Sequence, residues 1–215
     1  MIKTLYHWRW GLIISILIGL FLPNLVQAQE TSYYEMMPYA RYVNYRYIGK
    51  PEVVGFLSKD IIMEYPPDEE QRFQIVDFTD GIATAIVYQI RDDGLYELGR
   101  QPDYREVMDL RSSVDFNQGH SLVIPQSLSV GLTYNRGYSQ EIHCQIVDYL
   151  PQLNFNGQTY SNVYVIEQAS PNNPVVYVYL AQDVGFLFEA VNRTVDGQPA
   201  HEPYLWIVGV DGPVQ

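Results

Sequence analysis

The sequence predicts a mainly β chain: a single antiparallel sandwich, barrel or curved half-barrel sheet with one short helix, behind an N-terminal signal helix. Three observations predict it. Short runs rich in Val, Ile, Tyr and Thr recur along the 215 residues, and these side chains suit a pleated surface. Turn dipeptides separate the runs: Asp80-Gly81, Asp93-Gly94, Asn156-Gly157, Asp196-Gly197 and Asp211-Gly212 all tolerate positive φ. Nineteen tyrosines stand against four histidines and one cysteine, an aromatic excess that packs well across strands.

The elements follow in order. Residues 1–28 read as a secretory signal. Lys3 and Arg9 precede an apolar run, GLIISILIGLFL, then Pro23 and the small residues Val26 and Ala28. Cleavage after Ala28 makes Gln29 the first residue of the exported domain, 29–215. The alternative is an uncleaved N-terminal anchor, but the run is shorter than the ~20 apolar residues that span a bilayer. Strands are expected near 39–48, 53–63, 72–78, 82–90, 94–99, 121–125, 139–149, 159–168, 174–181, 184–193 and 203–210. Between them, Asp103 and Glu106 have the form of a capping box, and Tyr104, Val107, Met108 and Arg111 follow at helical spacing. That predicts a short helix over 104–112. No second membrane span follows the signal.

Strand parity places several residues. Ile142, Cys144 and Ile146 share one face, with His143 and Gln145 on the other, so Cys144 reads as a small buried hydrophobe. Ile82, Thr84, Ile86 and Tyr88 oppose Ala83, Ala85 and Val87. The run 175–180, VVYVYL, is apolar on both faces, which suits a strand covered on both sides or one that lines a cavity.

Composition excludes several functions. Removing the signal leaves 11 basic against 25 acidic residues, a net charge of −14. Such a surface does not displace counterions from nucleic acid, and it disfavours anionic lipid headgroups. One cysteine forms no internal disulfide and no cysteine-rich zinc site. The sequence has no nucleophile elbow, zincin helix or phosphate-binding glycine loop. His120 beside Ser121 and His143 beside Cys144 point to opposite faces of a strand, so neither makes a dyad. Asp68-Glu69-Glu70 and Asp92-Asp93-Gly94 lack the spacing of a calcium loop. No cofactor, metal or catalytic residue is expected.

The tyrosines are the remaining candidates. Tyr39, Tyr45 and Tyr47 share a parity on the first strand, and Tyr177 and Tyr179 share a face of a late one. A phenol pairs an apolar body with a polar tip, which suits a ligand-gripping surface as well as packing. The expectation is an exported, non-catalytic β domain that binds a small ligand or an envelope component through a tyrosine-lined sheet face. The other classes are a hydrolase with a carboxylate pair and an assembly module acting through sheet edges.

Three segments carry a resemblance: IPQSLSVGLTY at 124–134, FNGQTYSNVYVIE at 155–167 and VVYVYLAQDVGFL at 175–187. Their pattern is similar to that of a group of exported Gram-positive envelope proteins, often lipoproteins, of uncharacterised function. The matching positions include Pro125, Leu128, Val130, Gly131, Gly157, Tyr160, Asn162, Val163, Tyr177, Tyr179, Ala181, Val184 and Gly185. Tyr134 replaces a usual tryptophan, and no lipobox cysteine is present. The resemblance implies an antiparallel β fold at the cell envelope, secreted or extracytoplasmic, and carries over no catalytic residue.

Overall fold

Two tight turns show how local sequence sets the register. Asn156 and Gly157 both take positive φ, 49° and 77°, the backbone of a type I′ turn whose twist matches that of the strands it joins. Asp80 and Gly81 do the same at 47° and 81°. The computed structural model describes residues 33–113, 119–195 and 198–214. The signal segment, with the Ala28–Gln29 cleavage, and the Asp196-Gly197 turn lie outside the described residues.

The strands are β1 (Tyr42–Gly49), β2 (Ser58–Tyr65), β3 (Arg72–Thr79), β4 (Ile82–Arg91), β5 (Gly94–Gln101), β6 (Ser121–Pro125), β7 (Thr133–Arg136), β8 (Ile142–Phe155), β9 (Gln158–Ala169), β10 (Val176–Ala181), β11 (Gly185–Val195) and β12 (Gln198–Pro213). They form one sheet in the order β6-β5-β4-β3-β2-β1-β12-β11-β10-β9-β8-β7. Every ladder is antiparallel. The end strands β6 and β7 approach each other, so the sheet curls into a nearly closed barrel. Side chains rather than a ladder hold this seam. Gly137 N donates to Ser121 Oγ at 2.8 Å and Tyr134 OH to Val123 O at 3.3 Å.

Three expectations are corrected. The segment 104–112 forms no helix. Asp103 sits at φ 53°, not the extended backbone an N-cap needs, and its carboxylate is taken by Arg105. Two backbone donors of the segment go to the sheet instead: Tyr104 N bonds Ala83 O at 2.9 Å and Leu110 N bonds Gln74 Oε1 at 2.7 Å. The result is a strap across the outside of β3, β4 and β5. Among the described residues the one short α-helix, α1 (Pro51–Val54), lies where a strand was expected to start at 53, because Pro51 opens a turn and Gly55 closes it in the left-handed region. Finally, Tyr39 precedes β1 at φ 64°, in a turn, so it does not share the strand's alternation.

Burial follows the alternation. Tyr45, Tyr47, Ile61, Ile75, Ile86 and Tyr88 belong to the barrel core, as does Cys144. The opposite face of β3–β5 is also covered: Val76, Ala85, Val87 and Leu98 pack beneath Tyr104 and Leu110 of the strap. Gln74 pins the strap. Its Nε2 donates to Met108 O at 2.9 Å and to Glu64 Oε2 at 2.6 Å, and its Oε1 accepts from Leu110 N at 2.7 Å.

The segment before β1 plugs the rim that carries the β10–β11 turn. Met36 and Met37 are buried in the core. Asp183 N donates to Glu35 O at 2.7 Å, and Arg41 pairs with Asp183 at 3.1 Å. Gly185 is required here: a Cβ would sit 2.6 Å from Pro38 Cα, and φ is +85°.

Candidate functional site

The inside of the barrel is not uniformly apolar. Toward the end of the barrel that carries the β3–β4 and β7–β8 turns lies a cavity of about 120 Å³. It is lined by residues from seven strands and from the plug, among them Tyr39, Tyr88, Val178 and Phe186. Six charged side chains also reach it: Lys59, Asp77, Glu97, Arg100, Arg136 and Glu189. A smaller space of about 30 Å³ shares Tyr39, Lys59, Phe186 and Glu189 and extends to Tyr47.

Four of the six charges close among themselves. Lys59 Nζ meets Asp77 Oδ2 at 2.7 Å. Arg100 grips Glu97 with two parallel bonds, Nε to Oε1 at 2.8 Å and Nη2 to Oε2 at 2.9 Å, the fork geometry that favours arginine for carboxylates. Tyr138 OH donates to the same carboxylate at 2.5 Å. Burial opposes the Arg100 charge, but the Glu97 carboxylate outweighs it and raises the guanidinium pKa.

Two charges stay open. Among the described residues, Arg136 has neither an ion-pair partner nor a hydrogen-bond acceptor. Burial works against its charge, yet Tyr134, Tyr88, Tyr39 and Glu97 together raise its pKa, so it stays cationic. Among the described residues, Glu189 accepts only from Tyr204 OH, at 2.7 Å, a neutral donor. The Tyr39 and Tyr88 hydroxyls also lack protein acceptors among the described residues. Burial pushes both phenols well above the usual range, with Glu189 adding to the effect at Tyr39 and Glu97 at Tyr88. Both therefore remain neutral donors.

The tyrosines expected at a site divide into two groups. Tyr39, Tyr45 and Tyr47 come together inside the barrel. Tyr39 meets Tyr45 and Phe186 edge-on, each at 5.7 Å between centroids. Tyr45 OH accepts from Arg41 N and Tyr42 N, both at 3.1 Å, and Tyr47 OH donates to Phe186 O at 2.9 Å. Those two hydroxyls are consumed by the fold, which leaves Tyr39 as the one with a free hydroxyl. Tyr177 and Tyr179 flank inward-facing Val178 and so point to the outer face. There Tyr177 stacks on His201 at 3.9 Å and donates to Glu167 at 2.8 Å. The Tyr179 hydroxyl meets His201 Nδ1 at 2.7 Å, and its ring stacks on Phe188 at 4.0 Å. Burial lowers the His201 pKa. This outer cluster is internally satisfied.

The local dyads expected to fail do diverge. Ser121 Oγ receives Gly137 N, whereas His120 Nδ1 faces Arg91 Nη2 at 2.7 Å. His143 turns to Asn135 Oδ1 at 3.3 Å while Cys144 is buried in the core, where desolvation raises its thiol pKa. Asn162 Oδ1 accepts from Tyr149 OH and its Nδ2 donates to Gln182.

Sequence reasoning did not single out Arg136, Glu189 or Glu97. One signal was available. Glu97 shares parity with Leu95, so a carboxylate stood on an otherwise apolar face. Arg136 lies on β7, a strand too short to register as one. No group of three or more His, Cys, Asp or Glu among the described residues is placed to hold a metal ion. Two larger hollows lie outside the cavity, about 350 Å³ near Tyr160 and Val208 and about 400 Å³ beside the strap. Of the charged groups lining the second, Glu64 is engaged by Gln74 and Tyr104 and Arg105 by Asp103, while Glu106 is exposed. No family model, curated protein or solved structure matches the chain.

Proposed function

We propose that the chain is an exported, non-catalytic binding protein of the cell envelope, whose barrel takes a small polar ligand into its interior. One observation carries this reading: the Arg136 guanidinium and the Tyr39 and Tyr88 hydroxyls line one cavity and have no acceptors among the described residues. These donors face the cavity rather than protein acceptors, so a ligand or water that accepts their bonds there recovers free energy. The volume corresponds to about four waters of liquid, which suits a compact ligand rather than a lipid chain. Export is supported by the signal-like residues 1–28. The outer face is charged, with Arg46–Asp211 and Lys50–Glu202–Arg193 pairs, which suits a barrel bathed by water rather than by lipid.

A carboxylate-pair hydrolase has Asp77, Glu97 and Glu189 on the same cavity. The first two are engaged by Lys59 and Arg100, which favours binding over acid–base work. Native mass spectrometry on chain isolated from an exporting host tests the proposal. The expected result is a chain that begins at Gln29 and carries a small-mass adduct, which a Y39F/Y88F double variant loses. Chain retained in the cytoplasm with residue 1 intact would sink the export reading. An adduct-free chain that no small polar compound stabilises thermally would sink the binding reading.

A further inference from the structure

We propose that the ligand is a small zwitterion of the amino-acid type, its carboxylate held by Arg136 and its ammonium by Glu189. This rests on the reading of the cavity as a ligand site and adds the ligand's chemical class.

The charge inventory points there. The cavity is lined by three cationic and three anionic side chains. Lys59–Asp77 and Arg100–Glu97 close as ion pairs. What remains is one cation and one anion that do not pair with each other. Both act electrostatically on Tyr39, so that phenol lies within reach of both fields. A simple anion would match Arg136 and leave Glu189 facing like charge. A simple cation would do the reverse. A molecule with both charges a few bonds apart answers both groups. It also leaves Tyr39 and Tyr88 to donate to its carboxylate, beside the guanidinium fork suited to that group. Apolar Phe186, Val178 and Ile86 complete the lining and accept a small aliphatic side chain, while the limited volume rejects bulky ones.

The test is calorimetric titration of the full chain with the common amino acids. Each small one is matched to analogues lacking one charge: alanine against propionate and ethylammonium, with glycerol as the uncharged probe. Alanine or a similarly small amino acid should bind about tenfold or more tightly than either analogue, the loss expected when one charge-assisted bond goes unmade. E189Q should erase the preference for alanine over propionate. R136Q should erase the preference for alanine over ethylammonium. Propionate matching alanine in the unaltered chain, or E189Q leaving alanine binding untouched, would overturn the inference. Glycerol or propionate binding that Y39F abolishes would keep the cavity as the ligand site and remove the zwitterion. Binding of no probe would remove both. Where R136Q fails to fold, E189Q still decides the matter, because glutamine keeps an acceptor for Tyr204.

Discussion

At the scale of single residues, the ion pairs differ in value according to their surroundings. Asp103–Arg105 is exposed on both sides, at 70% and 79%, and such pairs add little. Glu97 is 2% exposed and takes three donors, two from Arg100 and one from Tyr138. Tyr138 lies just beyond β7 and Glu97 on β5, so this carboxylate ties the two sides of the seam together across β6. Removing one member of a buried pair leaves the other uncompensated, at roughly 3–5 kcal/mol where both are deeply buried. The Arg100 side chain is 51% exposed, so water takes over part of its charge. E97A is therefore expected to lower unfolding free energy by about 2 kcal/mol. E97Q, which still accepts from Tyr138, should lose roughly half of that. Urea denaturation of both variants checks this, and equal losses would mean that the charge on Glu97 carries the whole contribution and that a neutral acceptor recovers none of it.

At the scale of elements, the strands were largely legible and the strap was not. The first residues of β3 and β4 and the whole of β6 fall where the alternating runs placed them, because two-residue turns and a one-sided core enforce that period. The Asp103–Glu106 pattern failed because a capping box is only as good as its backbone. Asp103 is left-handed, and the segment's backbone donors bond outside any helical pattern: Tyr104 N to β4, Leu110 N to Gln74 on β3, and Met108 N to the Tyr104 hydroxyl. Gln74 is the counterpart that no local pattern reveals, since its four partners lie 10 to 36 residues away. Q74L should leave Leu110 N without its acceptor and Met108 O with the Tyr104 hydroxyl as its remaining donor. The expected cost is about 1–3 kcal/mol, together with much faster amide exchange at Leu110 and unchanged exchange inside β10. Unchanged protection at Leu110 would mean that burial of Tyr104 and Leu110 holds the strap without the glutamine.

At the scale of the whole molecule, the candidate site was illegible for a topological reason. Tyr39, Tyr88, Arg136 and Glu189 come from four separate parts of the chain and meet only when the sheet curls. The tyrosine excess was legible as composition, but its sorting between hydroxyls consumed by the fold and hydroxyls left free was not. That sorting has a global consequence at alkaline pH. Burial raises the pKa of Tyr45 to about 12, and it is the leading cause of the upward shifts of Tyr39, Tyr47, Tyr88, Tyr134 and Tyr204. In the unfolded chain these phenols ionise near 10. Between 10 and their folded values the native state holds protons that the unfolded state has released. The stability they confer is complete below pH 10 and falls as pH rises through that window, by about 1.4 kcal/mol per pH unit for each phenol still protonated in the fold. Several such groups acting together should unfold the barrel before pH 12. A spectrophotometric titration should therefore show two classes, exposed phenols ionising reversibly near 10 and a buried class that ionises only as the circular dichroism of the sheet collapses. Y39F should move that collapse to higher pH, because one proton-holding group is gone. A single titration step near pH 10 with the sheet intact would contradict the interior placement of these tyrosines, and with it the cavity that they line.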